Sequence, residues 1–147
     1  MIGFIITGHG SYAPGMNGAM EMIAGAQDKI EIVPFLEEMD LEVFKENLAN
    51  AIHALRKENL EVVIFTDLLG GTPFKTAATF AFEQKSLEIV AGTNLPMLIE
   101  GSMLRFSLTS AKELVNQLIQ TGQTGIQALA LDSLENEINE EEFAEGI

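Results

Sequence analysis

A single segment, VVIFTDLLGGTPFK at residues 62–75, combines the patterns of a buried strand, a tight turn and the start of a helix. Its first four residues are β-branched or aromatic, as in a strand that is covered on both faces. Gly70 and Gly71 suit a turn, and Pro73 is tolerated in the first turn of a helix. The segment therefore predicts a βα unit, with Asp67 at the carboxyl end of its strand.

The same alternation of strand and helix patterns extends over the rest of the chain. The predicted strands are 2–7, 30–33, 62–66, 87–91 and 128–131. The predicted helices are 14–24, 41–58, 73–82, 96–107 and 110–121. Strands that alternate with helices of this length predict a doubly wound α/β domain, with a mostly parallel sheet and helices on both faces.

Local signals predict where several helices begin and end. Asp40 is expected to cap the second helix, and Thr109 or Ser110 forms a capping-box pattern with Glu113. Gly122 is expected to end the last helix. The methionines of the first helix are expected to pack in the core.

Length and composition fit one globular domain. The chain has 147 residues, of which 47% are hydrophobic and 20% are charged, so a full hydrophobic core can form without disulfides. It contains no cysteine, no secretory leader pattern and no apolar stretch as long as a membrane span. We therefore expect a cytoplasmic protein.

The net charge of −14 disfavours binding to nucleic acids and favours basic partners. Seven of the 22 acidic residues lie in residues 132–147, which contain no Lys or Arg. This pattern predicts a domain at 1–131 and an acidic tail at 132–147, which is either solvated or an arm for a basic partner. No metal site is expected, because thiolate ligands are absent and only two histidines are present.

His9 is the first candidate for chemistry, because it follows the first strand between Gly8 and Gly10. Ligands of open α/β sheets bind at the carboxyl ends of the strands, where Asp67 also emerges. A carboxylate bonded to one imidazole nitrogen makes the other a better nucleophile. The alternatives are a histidine bonded to the sheet and an aspartate that caps the next helix or binds loop amides.

The turn before the third helix is a candidate anion site. Gly70, Gly71 and Thr72 place backbone amides and a hydroxyl at a helix N-terminus, although a tight turn alone would also need glycines there. A rival pattern, Gly8-x-Gly10-x-x-Ala13, suggests a dinucleotide site, but no acidic residue ends the second strand to hold a ribose. His53 is expected on the surface, and Lys75 and Arg105 either aid an anion or are solvated.

Three motifs in order, IGFIITGHGS, VVIFTDLLGGTPF and VAGTNLPMLIE, closely resemble the IIA domain of the mannose-type sugar phosphotransferase system over about residues 1–130. The resemblance implies a phosphotransferase in which His9 accepts a phosphoryl group on Nε2 from the phosphocarrier HPr and passes it to a IIB component. Asp67 would bond to Nδ1, and the Thr72 hydroxyl would assist the phosphoryl group. The amides of Gly10, Ser11 and Gly71 would position it.

The resemblance also implies partners and an assembly. Leu68, Leu69 and Phe74 would form a docking surface, with a core role as the alternative for Phe74. A homodimer would exchange a strand near residues 87–92, and no ATP, metal or nicotinamide would be needed. IIB would be a separate chain that acts with the membrane components IIC and IID. The rival functions are the phosphoryl-donor subunit of dihydroxyacetone kinase and a non-catalytic anion- or dinucleotide-binding module.

Overall fold

The computed structural model describes residues 1–130, so Leu131 and the predicted acidic tail lie outside the described residues. Within them the chain forms four strands and five helices. The elements are β1 (Gly3–His9), α1 (Tyr12–Ala24), β2 (Ile30–Phe35), α2 (Leu41–Arg56), β3 (Val62–Phe65), α3 (Thr72–Glu83), β4 (Leu87–Val90), α4 (Leu95–Leu104) and α5 (Ala111–Thr124).

The four strands form one parallel sheet in the order β2-β1-β3-β4. The β1 strand is central, because Phe4 is paired with Ile30 of β2 on one side and with Val63 of β3 on the other. The carboxyl ends of the strands therefore share one edge of the sheet, which we call the carboxyl edge. His9 and Asp67 both lie at this edge.

Both faces of the sheet are covered by helices, which confirms the predicted doubly wound α/β class. Alternate strand residues point to opposite faces. On one face Phe4 and Ile6 pack with α1, α4 and α5, and on the other Ile5 and Ile64 pack with α2 and α3. Each strand is thus buried on two sides, which explains its continuous apolar sequence.

The predicted helix starts are confirmed at three helices. Asp40 accepts a hydrogen bond from the Glu42 amide at 2.8 Å, and Ser110 accepts one from the Glu113 amide at 3.3 Å. Pro73 lies in the first turn of α3. These signals are local in the sequence, which is why they could be predicted without the tertiary structure.

The predicted helix end at Gly122 is wrong. Helix α5 continues to Thr124, and Gly122 is buried inside it against Met97 of α4, where a Cβ atom would lie 2.6 Å from the sulfur atom. The glycine allows two helices to approach closely instead of ending one of them.

The prediction for the α1 methionines is confirmed for Met20, which is fully buried, but is wrong for Met22, which is 88% exposed.

The structure does not show the implied exchange of a strand near residues 87–92. In the structure β4 pairs in parallel with β3 of the same chain, with Leu87 opposite Val62 and Val90 opposite Phe65. Leu87 and Val90 are buried between the helices, so this strand belongs to its own sheet. Of the predicted fifth strand at 128–131, residues 128–130 are exposed and do not form a strand, and Leu131 lies outside the described residues.

Arg105 neither aids an anion nor is solvated, so both expectations for it are wrong. Its side chain is fully buried at the edge opposite His9. It donates to the Asp28 carbonyl at 2.6 Å and stacks over the Phe106 ring at 4.8 Å. Burial lowers the pKa of this guanidinium, and its hydrogen bonds to backbone carbonyls fix the amino ends of β1 and β2.

Candidate active site

His9 and Asp67 are in direct contact at the carboxyl edge. His9 is the last residue of β1, and Asp67 follows β3, which is hydrogen-bonded to β1. The His9 Nδ1 atom lies 2.7 Å from Asp67 Oδ2, and the His9 backbone amide donates to the same oxygen at 2.8 Å. Parallel pairing of the two strands therefore brings together residues that are 58 positions apart.

The contact between Nδ1 and Oδ2 fixes the tautomer of the neutral ring. An ionised carboxylate oxygen only accepts hydrogen bonds, so Nδ1 carries the proton and donates it to Oδ2. The other ring nitrogen, Nε2, then carries the lone pair, and it has no partner among residues 1–130. The His9 side chain is 46% exposed and that of Asp67 is 15% exposed, so the ring faces solvent and its partner lies beneath it.

The environment of Asp67 favours its charged form. Burial raises the pKa of this carboxyl group, but the hydrogen bonds and charge of His9 outweigh burial and bring the pKa below its ordinary value of 3.8. Asp67 is therefore an anion near neutral pH. An anion in this position stabilises positive charge on the imidazole.

The β3–α3 turn closes around His9. A Cβ atom on Gly71 would lie 2.9 Å from His9 Cε1, so only glycine allows this approach. Thr72 is the first residue of α3 and directly follows Gly71, so the positive end of the helix dipole lies near the ring. The exposed imidazole thus lies beside a helix N-terminus, a position that favours an anion.

Two of the three predicted amide donors are already in use. The Gly10 amide donates to the Phe35 carbonyl at 2.8 Å, and the Gly71 amide donates to the Leu68 carbonyl at 3.1 Å. Both amides would have to leave these carbonyls to hold a phosphoryl group, so the role predicted for them stays a prediction. The Ser11 amide has no acceptor within residues 1–130, so the prediction for Ser11 stays open.

Known proteins share this arrangement of sequence and fold. A family model described as "PTS system fructose IIA component" matches residues 3–119. The chain belongs to this EIIA family. The "PTS system fructose-specific EIIA component" of Bacillus subtilis (strain 168) is 34% identical to it over 127 residues, which cover 86% of both chains. These EIIA proteins are phosphotransferase components of the mannose family, as the resemblance of the motifs predicted.

Two further comparisons agree with EIIA membership. The "PTS system mannose-specific EIIAB component" of Escherichia coli (strain K12) is 31% identical over 134 residues, which cover 91% of this chain and 41% of that protein. The crystal structure of phosphotransferase system component EIIA from Streptococcus agalactiae has a TM-score of 0.80 at 29% identity, and the match covers 87% of this chain and 97% of that one.

Around the EIIA site, the residues predicted for docking differ in exposure. Leu68 and Leu69 lie in the β3–α3 loop and are 59% and 73% exposed, whereas Phe74 is half-buried in the first turn of α3. His53 is exposed on α2, as expected. Lys75 is exposed too, one turn into α3.

Sequence reasoning missed two aromatic residues at the site. Phe35 ends β2 opposite His9, and the two rings meet edge to face at 5.8 Å. Tyr12 opens α1, and its ring fills the space above Gly8. The only sequence signal for Phe35 was its place after a strand, because its contact depends on the register between β1 and β2.

The dinucleotide interpretation does not fit this geometry. A dinucleotide site needs open space at its first glycine so that the pyrophosphate can approach the backbone. Here Gly8 is buried, and a Cβ atom on it would lie within 3.0 Å of Asp67 Cγ and overlap the Tyr12 ring. That space is therefore already filled by the chain's own side chains.

Among residues 1–130, no group of three or more His, Asp or Glu side chains is arranged to hold a metal ion. None of the helices that the structure describes is long and apolar enough to cross a membrane.

Proposed function

We propose that this protein carries a phosphoryl group on His9 Nε2, which it accepts from phospho-HPr and passes to a IIB component during sugar uptake. The observation that supports this most is the contact between His9 Nδ1 and Asp67 at 2.7 Å, because it leaves Nε2 as the exposed nucleophile. Family membership supports it independently.

The transfer needs positioning more than activation. The Nε2 lone pair forms a bond to phosphorus while the bond between phosphorus and the donor's histidine nitrogen breaks, and the electron pair of that bond returns to the donor ring. His9 retains the Nδ1 proton, so the phosphorylated ring is cationic and is stabilised by the Asp67 anion. The Thr72 hydroxyl and the Ser11 amide contact the phosphoryl oxygens, at the positive end of α3 and beside α1.

Partner binding is assigned to the exposed part of the same edge. Leu68 and Leu69 provide the apolar contact with HPr and with IIB, and the half-buried Phe74 adds to this docking surface from the first turn of α3. The net charge of −14 favours a carrier with basic residues around its own histidine. The site operates in the cytoplasm, and the protein is a homodimer.

The test is to incubate the protein with phosphoenolpyruvate, enzyme I and HPr, and then to measure the mass of the intact protein by mass spectrometry. The wild type should gain about 80 Da, the mass of one phosphoryl group, in an acid-labile form. His9→Ala should gain nothing, because the nucleophile is absent. His53→Ala is the matched control, since it removes the other histidine of the chain, and it should be phosphorylated like the wild type.

Two results would contradict the proposal. One is a gain of an acid-labile phosphoryl group that persists in His9→Ala. The other is no gain in wild type when the same donor proteins phosphorylate a known EIIA protein. Phosphorylation of His9 that supports a dihydroxyacetone kinase, but no sugar-specific IIB component, would favour the rival donor-subunit function.

A further inference from the structure

Tyr12 is the one tyrosine of the chain and lies three residues after His9, yet it has no role in the chemistry described above. Its ring is half-buried and lies above Gly8. A Cβ atom added to Gly8 would overlap the ring and approach Asp67 Cγ to 3.0 Å. The ring and the carboxyl group therefore border the same small space.

The hydroxyl group of Tyr12 is held by a different loop. It donates to the Thr93 carbonyl at 2.6 Å, 81 positions further along the chain. Thr93 lies between β4 and α4, and its amide donates to the Thr66 carbonyl at 3.1 Å. Thr66 directly precedes Asp67, so two hydrogen bonds connect the phenol to the backbone that carries the carboxylate.

The electrostatics place the phenol in the field of Asp67. Burial, and then the Asp67 charge, raise the pKa of Tyr12 to about 12. The hydroxyl is therefore protonated and remains a donor at any physiological pH. The second oxygen of Asp67, Oδ1, is buried and has no hydrogen-bond partner at ordinary distance within residues 1–130, although the Leu68 backbone amide is close enough to help lower the pKa of the carboxyl group. The neighbouring Tyr12 ring is therefore in a position to help fix the orientation of the carboxylate.

We propose that Tyr12 is a positioning residue for phosphoryl transfer, whose ring, held by the Thr93 carbonyl, keeps the Asp67 carboxylate turned toward His9 Nδ1. This inference rests on the proposed function of His9. Loss of the ring would let Asp67 rotate and the imidazole turn, so Nε2 would spend less time aligned with the incoming phosphorus. Tyr12 itself does not touch the phosphoryl group.

The alternative is that Tyr12 only attaches α1 to the β4–α4 loop. The two roles predict different results when substitutions of Tyr12 and Asp67 are combined in one variant. If Tyr12 acts through Asp67, its substitution has no further effect once Asp67 is replaced, whereas a separate structural role gives effects that add.

The experiment compares kcat and KM for transfer from phospho-HPr in wild type, Tyr12→Phe, Tyr12→Leu, Asp67→Asn and the double variant Tyr12→Leu/Asp67→Asn. We expect Tyr12→Leu to lower kcat about tenfold with KM within about twofold. Tyr12→Phe keeps the ring and should lower kcat by only about threefold. The double variant should be no slower than Asp67→Asn. Phe82→Leu is the control, because Phe82 is 92% exposed at the end of α3.

A second measurement does not depend on transfer. The His9 Nδ1 proton should give an NMR signal protected from exchange in wild type, Tyr12→Phe and Phe82→Leu, and it should broaden in Tyr12→Leu. Circular dichroism at the assay temperature checks that each variant is folded.

The inference is overturned if folded Tyr12→Leu keeps the wild-type kcat and the wild-type Nδ1 signal. It is also overturned if the decrease in kcat caused by Tyr12→Leu adds in full to the decrease caused by Asp67→Asn in the double variant. Failure of the proposed function looks different: wild type is then not phosphorylated, and only the NMR comparison decides the role of Tyr12 toward His9.

Discussion

At the scale of single residues, one carboxylate oxygen organises the site. Asp67 Oδ2 accepts hydrogen bonds from both the ring and the backbone amide of His9. The backbone contact fixes the end of β1, and the ring contact fixes the tautomer. The same atom thus connects the stability of the carboxyl edge to the reactivity of Nε2.

Asp67 should therefore make stability depend on pH in the acidic range. Its folded-state pKa is below 3.8, so its contribution to stability is present above the unfolded pKa and is lost as pH falls through the folded pKa. We expect wild type to exceed Asp67→Asn by about 1 kcal/mol in free energy of unfolding near neutral pH. The difference should vanish between roughly pH 5 and pH 2.

Urea unfolding at a series of pH values measures this difference. Glu37→Gln is the control, because Glu37 is an exposed carboxylate in the loop after β2, and its substitution should change little. A difference between wild type and Asp67→Asn that stays constant down to the lowest pH would show that the charge of Asp67 does not stabilise the fold.

At the scale of elements, the packing of α4 against α5 depends on Gly122. Its Cα faces the Met97 side chain, and its carbonyl accepts a hydrogen bond from the Asn94 side chain at 2.8 Å. Asn94 also caps α4, by accepting from the Met97 amide. A single glycine of α5 therefore contacts both the cap and the first turn of α4, which extends from the loop that holds Tyr12.

Replacement of Gly122 by alanine should destabilise the protein although alanine favours helix. The added methyl group would lie 2.6 Å from Met97 Sδ and 3.3 Å from Asn94 Oδ1, and such overpacking costs about 1–3 kcal/mol. Gly18→Ala is the matched control. Gly18 lies inside α1 with open space at its Cβ position, so its replacement should stabilise by about 0.5–1 kcal/mol.

Thermal and urea unfolding of both variants test this prediction. Equal stabilisation by the two substitutions would mean that α4 and α5 move apart at no cost. In that case Gly122 would not set their distance.

At the scale of the whole molecule, the sheet ends at β4. Within residues 1–130 no strand lies beyond it, and edges of sheets are usually covered by another element or another chain. We expect a homodimer, so sedimentation equilibrium should give twice the chain mass of 16.0 kDa over a dilution series. A constant mass of one chain at the highest concentration would exclude the dimer.

The sequence alone determined the class of fold and the main residues of the site. Apolar runs that alternate with helical patterns specify a parallel α/β sheet, because both signals are local. Parallel strands end at one edge, so His9 and Asp67 could be brought together in a prediction. The caps at Asp40 and Ser110 were predictable for the same reason, since each contacts an amide two or three residues away.

Only the tertiary structure decided the features that depend on pairs distant in sequence. These include the ring of Phe35 beside His9, the Tyr12 hydroxyl on Thr93, the burial of Arg105 and the close approach at Gly122. It also assigned the Gly10 and Gly71 amides to backbone carbonyls. A backbone donor or a buried side chain takes whichever partner the packed elements bring near it, and strand register and helix distance are set by the core as a whole.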